Sequence, residues 1–236
     1  MAEALSAIEG WLDGSAATPR LVFFVNAHTL NLAWEDPDYA RILRRGDVVF
    51  GDGSGVRLAA RLLHGVELVD NVNGTDLVPA LLGRGAGRGR RYFLLGGTAE
   101  MVERAAAEAR RMFPAWEQAG HHHGYLDASG TESALEAIRA ARPQLLLVGM
   151  GNPLQERWLV ENRDRLEVPV SLAIGGLFAY WSGDLDRAPP WMRRLGIEWI
   201  HLLVRQPRKA ERYLLGNPRF VWRLLRSRRA RRAPGA

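Results

Sequence analysis

Short apolar runs break up the first three-quarters of the chain, and most stop at Gly, Asn or Asp just before a helical pattern begins. Residues 21–25 run into Asn26, 48–50 into Gly51-Asp52, 92–95 into Gly96-Gly97, and 145–148 into Gly149. A fifth run, 168–174, ends at Gly175-Gly176. Unbroken Leu, Val and Phe suit strands buried on both faces. Between them, apolar residues recur at helical spacing over 38–45, 54–63, 99–112, 131–140 and 154–162. This alternation predicts an α/β, Rossmann-like parallel sheet with helices on both faces. Right-handed crossovers would bring the five strand ends to one rim, where open sheets of this class bind ligands. The Gly- and Arg-rich stretch 83–89 precedes a strand rather than following one, so it reads as a surface loop and not as a phosphate cradle.

The pattern changes after Pro189-Pro190. Trp191, Met192, Leu195, Trp199, Leu202 and Leu203 recur at helical spacing among Arg193, Arg194 and Arg205. Tyr213, Leu214, Phe220, Trp222 and Leu225 do the same beside Arg212, Arg219, Arg223 and Arg226. Residues 1–189 therefore read as an α/β catalytic body and 190–236 as a helical, basic appendage. Aromatic and basic residues on amphipathic helices fit an anionic membrane surface. A helix laying its apolar stripe on the body would give a similar pattern.

Charge sharpens this division. Residues 187–236 carry 14 Arg and Lys against two acids, a balance of +12, while the rest of the chain balances at −6. Such a tail should meet polyanions. Arginine bias cannot explain the asymmetry, although 31 of the 32 basic residues are Arg. The absence of Cys removes disulfides, thiolate metal sites and thiol nucleophiles. No apolar run approaches the ~20 residues that span a bilayer, and the first residues lack a signal-peptide pattern. The expected location is cytoplasmic, peripheral on the inner face of the cell membrane.

The candidate chemistry centres on Asp47-Val48-Val49-Phe50-Gly51-Asp52-Gly53-Ser54-Gly55. An apolar strand delivers one carboxylate between glycines, where it can act as a general base. An N-capping Asp in a turn is the plainer alternative. Asn26, His28, Asn73, Asp76, Thr98, Asn152 and Gln155 are the other polar groups expected on the rim. Gly-x-Gly-x-x-Gly after the first strand, the P-loop pattern and the Gly-x-Ser-x-Gly elbow are all missing. Asp184-Leu185-Asp186 matches the Asp-x-Asp by which some glycosyltransferases hold a metal. His121-His122-His123 reads as a polar loop leading to Tyr125, because successive residues of a strand do not share a face.

In order along the chain, Asn26-Ala27-His28-Thr29-Leu30-Asn31, Asp52-Gly53, Asn73-Gly74-Thr75-Asp76-Leu77 and Phe93-Leu94-Leu95-Gly96-Gly97 resemble the WecG/TagA/CpsF glycosyltransferases. So do His123-Gly124-Tyr125, Gly149-Met150-Gly151-Asn152-Pro153-Leu154-Gln155-Glu156, Gly175-Gly176-Leu177-Phe178, Arg187-Ala188-Pro189-Pro190-Trp191 and Gly216-Asn217-Pro218-Arg219-Phe220. The resemblance implies inverting, metal-independent transfer from a UDP-sugar donor to a polyprenyl-diphosphate-linked sugar acceptor, in cell-wall or exopolysaccharide synthesis. It implies no cofactor. Asp52 matches the family's catalytic base. Asn26, Asn73, Asp76, Tyr125 and Asn152 fall in the shared motifs and are assigned to substrate binding. Gln155 matches a residue of the donor site, with a helix-surface glutamine as its alternative. Backbone N–H groups at Gly96 and Gly97 could receive the nucleotide diphosphate. Arg205, Arg208 and Arg212 resemble appendage arginines that fold over the site at the membrane.

Phe24 and Asn71 stand where the family commonly has Thr and Arg, which leaves the donor sugar open between N-acetylmannosamine and a related hexose. The rival readings are a metal-dependent transferase using Asp184 and Asp186, and a non-enzymatic nucleotide- or nucleic-acid-binding protein. The favoured reading has no nucleic-acid partner. It allows a homo-oligomer that masks the apolar appendage away from the membrane.

Overall fold

The structure is a computed structural model and describes residues 1–14, 19–84, 89–189, 191–192, 200, 203 and 214–232. In chain order its elements are α1 (Ala2–Asp13), β1 (Arg20–Val25), α2 (Ala27–Glu35), α3 (Pro37–Leu43), β2 (Val48–Gly51), α4 (Ser54–His64), α5 (Gly74–Arg84) and β3 (Arg91–Gly96). There follow α6 (Ala99–Met112), β4 (Glu117–His122), α7 (Ala128–Ala141), β5 (Leu145–Gly149), α8 (Leu154–Glu161), β6 (Val170–Ala173), α9 (Leu177–Trp181) and α10 (Gly216–Arg232).

All six strands are parallel, in the order β2-β1-β6-β5-β3-β4. The five apolar runs form five of them. The described residues of the body fold as the predicted Rossmann-like sheet with helices on both faces. The sixth strand, β4, corrects the reading of the histidine run as a loop, since His121 and His122 belong to it. Its residues Glu-Gln-Ala-Gly-His-His carry no apolar signal because β4 is an edge, hydrogen-bonded only to β3. Gly120 lets the ring of Phe93 lie where a Cβ would be, 2.7 Å away.

Right-handed crossovers that step along a sheet in opposite directions put their helices on opposite faces. The steps β1→β2, β4→β5 and β5→β6 run toward the β2 edge. Their helices α2, α3, α7 and α8 cover Leu21, Phe23, Val25, Phe93 and Leu95. The steps β2→β3 and β3→β4 run the other way, and α5 and α6 join α1 and α9 over Val22, Phe24, Tyr92 and Leu94. The directions diverge between β3, whose chain moves on to β4, and β5, whose chain returns to β6. That divergence opens a crevice at the C-terminal ends of β3 and β5. Leu147 in β5 is fully buried, and truncating such a side chain to Ala typically costs about 2–5 kcal/mol.

The last helix, α10, packs on α2 and α4. Phe220 and Leu224, one turn apart, are buried, and the Phe220 ring lies 3.5 Å from where a Cβ on Gly55 would sit. Arg223 donates to the backbone and side-chain oxygens of Asn31 (3.1 and 2.9 Å) and pairs with Glu35 at 2.6 Å. Asn31 Nδ2 in turn donates to the Gly216 carbonyl at 2.8 Å. Leu214 and Leu215 before the helix, and Val221, Trp222 and Leu225 on its outward side, are exposed. No helix among the described residues is long and apolar enough to cross a membrane.

Candidate active site

The Asp52 turn lies at the C-terminal end of β2. The Asp52 N–H donates to the Val25 carbonyl at 2.8 Å, which extends the β1–β2 ladder one residue past the strand and holds the side chain, half-buried, on the rim. The N-cap of α4 is Gly53, at φ +88°, and no side chain caps that helix. Asp52 is therefore not the N-cap that its Gly-Asp-Gly setting allowed. The Gly53 N–H donates instead to Asn71 Oδ1 at 2.6 Å, a clamp across the turn from 18 residues away. Phe24 and Phe50 stack behind this turn with ring centroids 5.8 Å apart, closing it on the core side.

Asn26 sits at the end of the adjacent strand, and its Oδ1 accepts from the His28 and Thr29 N–H groups at 3.0 and 3.1 Å, so its carbonyl caps α2. Asn73 performs the same task for α5. Its Oδ1 accepts from the Asp76 N–H at 2.9 Å and the Thr75 hydroxyl at 2.6 Å, while its Nδ2 donates to Asp76 Oδ2 at 2.8 Å. Arg187, in the segment leading to the appendage, closes this cluster. It pairs with Asp76 Oδ1 at 2.8 Å and donates to Thr75 Oγ1 at 3.3 Å. Gly74 seats the cluster on the sheet, because a Cβ there would lie 3.2 Å from the Ile174 backbone.

The crevice floor is bare backbone. Gly96 has φ +146° and would place a Cβ 2.4 Å from the Gly149 carbonyl oxygen, while a Cβ on Gly124 would come within 2.7 Å of Gly96 Cα. Gly97, at φ +67°, leads to Thr98, whose Oγ1 caps α6 by accepting from the Met101 N–H at 3.2 Å. The Glu100 carboxyl is held below the usual carboxylate range by its own N–H and the Thr98 hydroxyl. Tyr125, just past β4, is 76% exposed.

Gln155 is neither surface-exposed nor open to the rim, being 1% exposed at the start of α8. Its Oε1 accepts from Gly151 N–H at 3.2 Å and Gly175 N–H at 3.1 Å, so one amide ties the β5–α8 turn to the β6–α9 turn. Its Nε2 donates to Glu156 Oε1 at 2.7 Å, as does Asn152 Nδ2 at 2.7 Å, and the Tyr39 hydroxyl donates to Glu156 Oε2 at 3.1 Å. Burial pushes the Glu156 carboxyl up, and these bonds offset only part of that. Burial likewise pushes the Tyr39 hydroxyl up.

The structure thus brings Asp52, Asn26, Asn73, Asp76, Asn152, Gly96 and Gly97 to one rim, with Gln155 beneath it and Tyr125 at its β4 end. Arg205, Arg208 and Arg212 lie outside the described residues. From β2 to β3 the rim spans four strand steps, roughly 19 Å at ~4.8 Å per step. An elongated ligand suits such a span. Asp184 lies on the α6–α9 side, where it pairs with Arg104 at 2.5 Å and accepts from Ser182 Oγ at 2.9 Å. Among the described residues no three His, Asp or Glu side chains gather as a metal site. Sequence reasoning missed Arg187 as part of the rim and Tyr39 and Glu156 as buried groups beneath it, and it marked Asn71 only as a departure from the family pattern, not as the clamp on Gly53. Arg187 and Glu156 stood inside quoted motifs, but nothing in their spacing showed which groups they meet.

A family model described as the glycosyl transferase WecG/TagA/CpsF family matches residues 1–234. An N-acetylglucosaminyldiphosphoundecaprenol N-acetyl-beta-D-mannosaminyltransferase of Staphylococcus aureus strain MW2 is 28% identical over 229 residues, covering 97% of this chain and 89% of that protein. A protein of the same name from Bacillus spizizenii is 29% identical over 202 residues, covering 86% of this chain and 77% of its own length. With a match over nearly every residue and a rim assembled from the shared motifs, the chain belongs to the WecG/TagA/CpsF family of glycosyl transferases.

Proposed function

We propose that this glycosyltransferase moves N-acetylmannosamine or a related hexose from a UDP-sugar to a polyprenyl-diphosphate-linked sugar, with inversion and without a metal. The observation that carries this reading is the Asp52 carboxyl, half-buried on the rim and not used as a helix cap, on the sheet whose other end holds a glycine-floored crevice. The relatives' names supply the acceptor class and one donor sugar.

An acceptor hydroxyl is a weak nucleophile at neutral pH. A carboxylate that takes its proton as the glycosidic bond forms lowers the barrier. One base is enough for inversion, since the diphosphate leaves from the opposite face of the sugar. The N–H groups after β3 and at the start of α6 would receive the diphosphate, as helix starts do. The sugar would then lie toward β1 and β2. Pairing of Asp184 with Arg104 favours the metal-free reading, and it predicts full activity in excess chelator.

The exposed Leu214, Leu215, Val221, Trp222 and Leu225 lie opposite the Phe220–Leu224 face that packs on the body. Arg219 and Arg226 are exposed on α10, and the Arg226 guanidinium lies 5.5 Å from the centre of the Trp222 ring. This arrangement fits adsorption to anionic lipid, which brings the rim to a lipid-linked acceptor. Calorimetry with a panel of UDP-sugars, followed by turnover of Asp52→Asn on the tightest donor, tests the reading. Near wild-type turnover by that variant would sink it.

A further inference from the structure

We infer that Glu156 is a positioning residue of the transfer site, acting through the amides of Gln155 and Asn152 to fix the two glycine turns on the rim. The inference rests on the reading of this rim as the donor site.

Glu156 is fully buried, yet no arginine pairs with it among the described residues. The groups that face it are neutral: the Tyr39 hydroxyl from α3, Asn152 Nδ2 from the turn, and Gln155 Nε2 from α8. The guanidinium of the next residue, Arg157, lies 6.0 Å from the centre of the Tyr39 ring and pairs with Asp36. An unpaired carboxyl at such a place lowers stability relative to an apolar side chain of equal size. What it supplies is direction. Both amides aim their NH2 groups at Oε1, which uses its two lone pairs on them.

The orientation has a consequence at the other end of Gln155. With its NH2 committed to Glu156, its oxygen faces the N–H groups of Gly151 and Gly175. A flipped amide would set donors against donors. Gly151 (φ +84°) and Gly175 (φ +64°) hold left-handed conformations in turns that follow the neighbouring strands β5 and β6. One oxygen of Glu156 therefore sets the amide that joins both turns. Protonation of Glu156 at Oε2 would not disturb this, because Oε1 still accepts from both amides.

Three variants test the inference: Glu156→Gln, Glu156→Leu and Gln155→Ala, with both double variants. Gln keeps an oxygen for the two amides and can donate to the Tyr39 oxygen, so Glu156→Gln should stay within about tenfold of wild type in kcat/KM for the donor. Glu156→Leu removes the acceptor and should lose roughly 100-fold, because small displacements of the donor-holding backbone are costly. Melting temperatures should not follow that order. In the Gln155→Ala background, Glu156→Leu should add little further loss. Amide exchange by NMR at Gly151 and Gly175 should quicken in Glu156→Leu and stay slow in Glu156→Gln.

Wild-type kcat/KM in Glu156→Leu, fully additive losses, or unchanged exchange at both glycines would overturn the inference. Should Glu156→Leu fail to fold, Glu156→Gln carries the test in both backgrounds. Slow exchange with near-normal turnover upholds the inference, and fast exchange overturns it. The exchange readout needs no turnover. A failure of the rim as donor site, seen as no binding of any UDP-sugar in calorimetry, is therefore distinguishable from a failure of Glu156 to hold the turns.

Discussion

Asp47 and Glu156 are shielded carboxyls at opposite ends of the sheet's strands, foot and rim, and their surroundings push them in opposite directions. Asp47 lies where β2 begins. Burial alone would raise its pKa, but the Leu21 N–H at 2.8 Å and the guanidinium groups of Arg163 (2.8 Å) and Arg20 (3.2 Å) overcome this and hold it below the usual range. Arg163 also donates to the Pro19 carbonyl at 2.8 Å and the Arg45 carbonyl at 3.2 Å, so the foot of the sheet is locked by neutralised charge. Glu156, at the rim, meets only neutral donors and stays above the usual range. One end uses charge to fix strands. The other uses amides to fix turns.

The largest effect should come from Asp52→Asn, which keeps the shape of the turn and removes its basicity. Turnover should fall by roughly 10²–10⁴ with an unchanged melting temperature, measured on a lipid-linked acceptor. At the foot, Asp47→Asn should show the reverse: about 1–2 kcal/mol less stability in urea unfolding, discounted for partial solvent screening, with turnover preserved. Loss of turnover there would break the division between foot and rim.

Acid titration sharpens the comparison further. Asp47, with its pKa lowered in the fold, contributes stability above the ordinary value of 3.8, and that is lost as pH falls through its folded pKa. Glu156 has the opposite sign. Its pKa is raised in the fold, so its contribution is full below 4.5 and is lost as pH rises through its folded pKa. Asp47→Asn should flatten the first dependence and Glu156→Gln the second, read from urea midpoints across pH. Identical slopes in wild type and Glu156→Gln would show that Glu156 does not titrate in that range. The smallest effect should be that of Trp222→Ser on α10, which removes one exposed ring. It should weaken sedimentation with anionic vesicles severalfold by the apolar area lost, and leave the melting temperature unchanged.

The strands of the sheet's interior were legible because β1, β3, β5 and β6 bury both faces, so their residues read as near-continuous apolar runs, with Ser171 the polar residue inside β6. β4 was not, since an edge strand tolerates Gln118, Gly120 and His121. At the site, Asp52 could be placed on the rim from the glycines beside it. Gln155 could not be placed inside, because its burial follows from how α8 wedges between two turns. The pairings of Asn71 and Arg187 escaped for a related reason. Their partners, Gly53 and Asp76, are 18 and 111 residues away, and local pattern carries no record of such pairings. The acidic body and basic tail were plain in composition, yet the packing of α10 through Phe220, Leu224 and Arg223 depended on Gly55 and Asn31 in the body.

The crowding of Gly96 against Gly149, with Gly124 pressed on Gly96, bears on how this scaffold could change its preference. Not even a methyl group fits between those strands, so the bottom of the cleft can display nothing but peptide dipoles, and on the proposed reading these would greet every nucleotide diphosphate alike. Discrimination among sugars must therefore be written in the walls. A new donor preference would arise by exchanging side chains around the cleft's margin, with the sheet beneath left untouched.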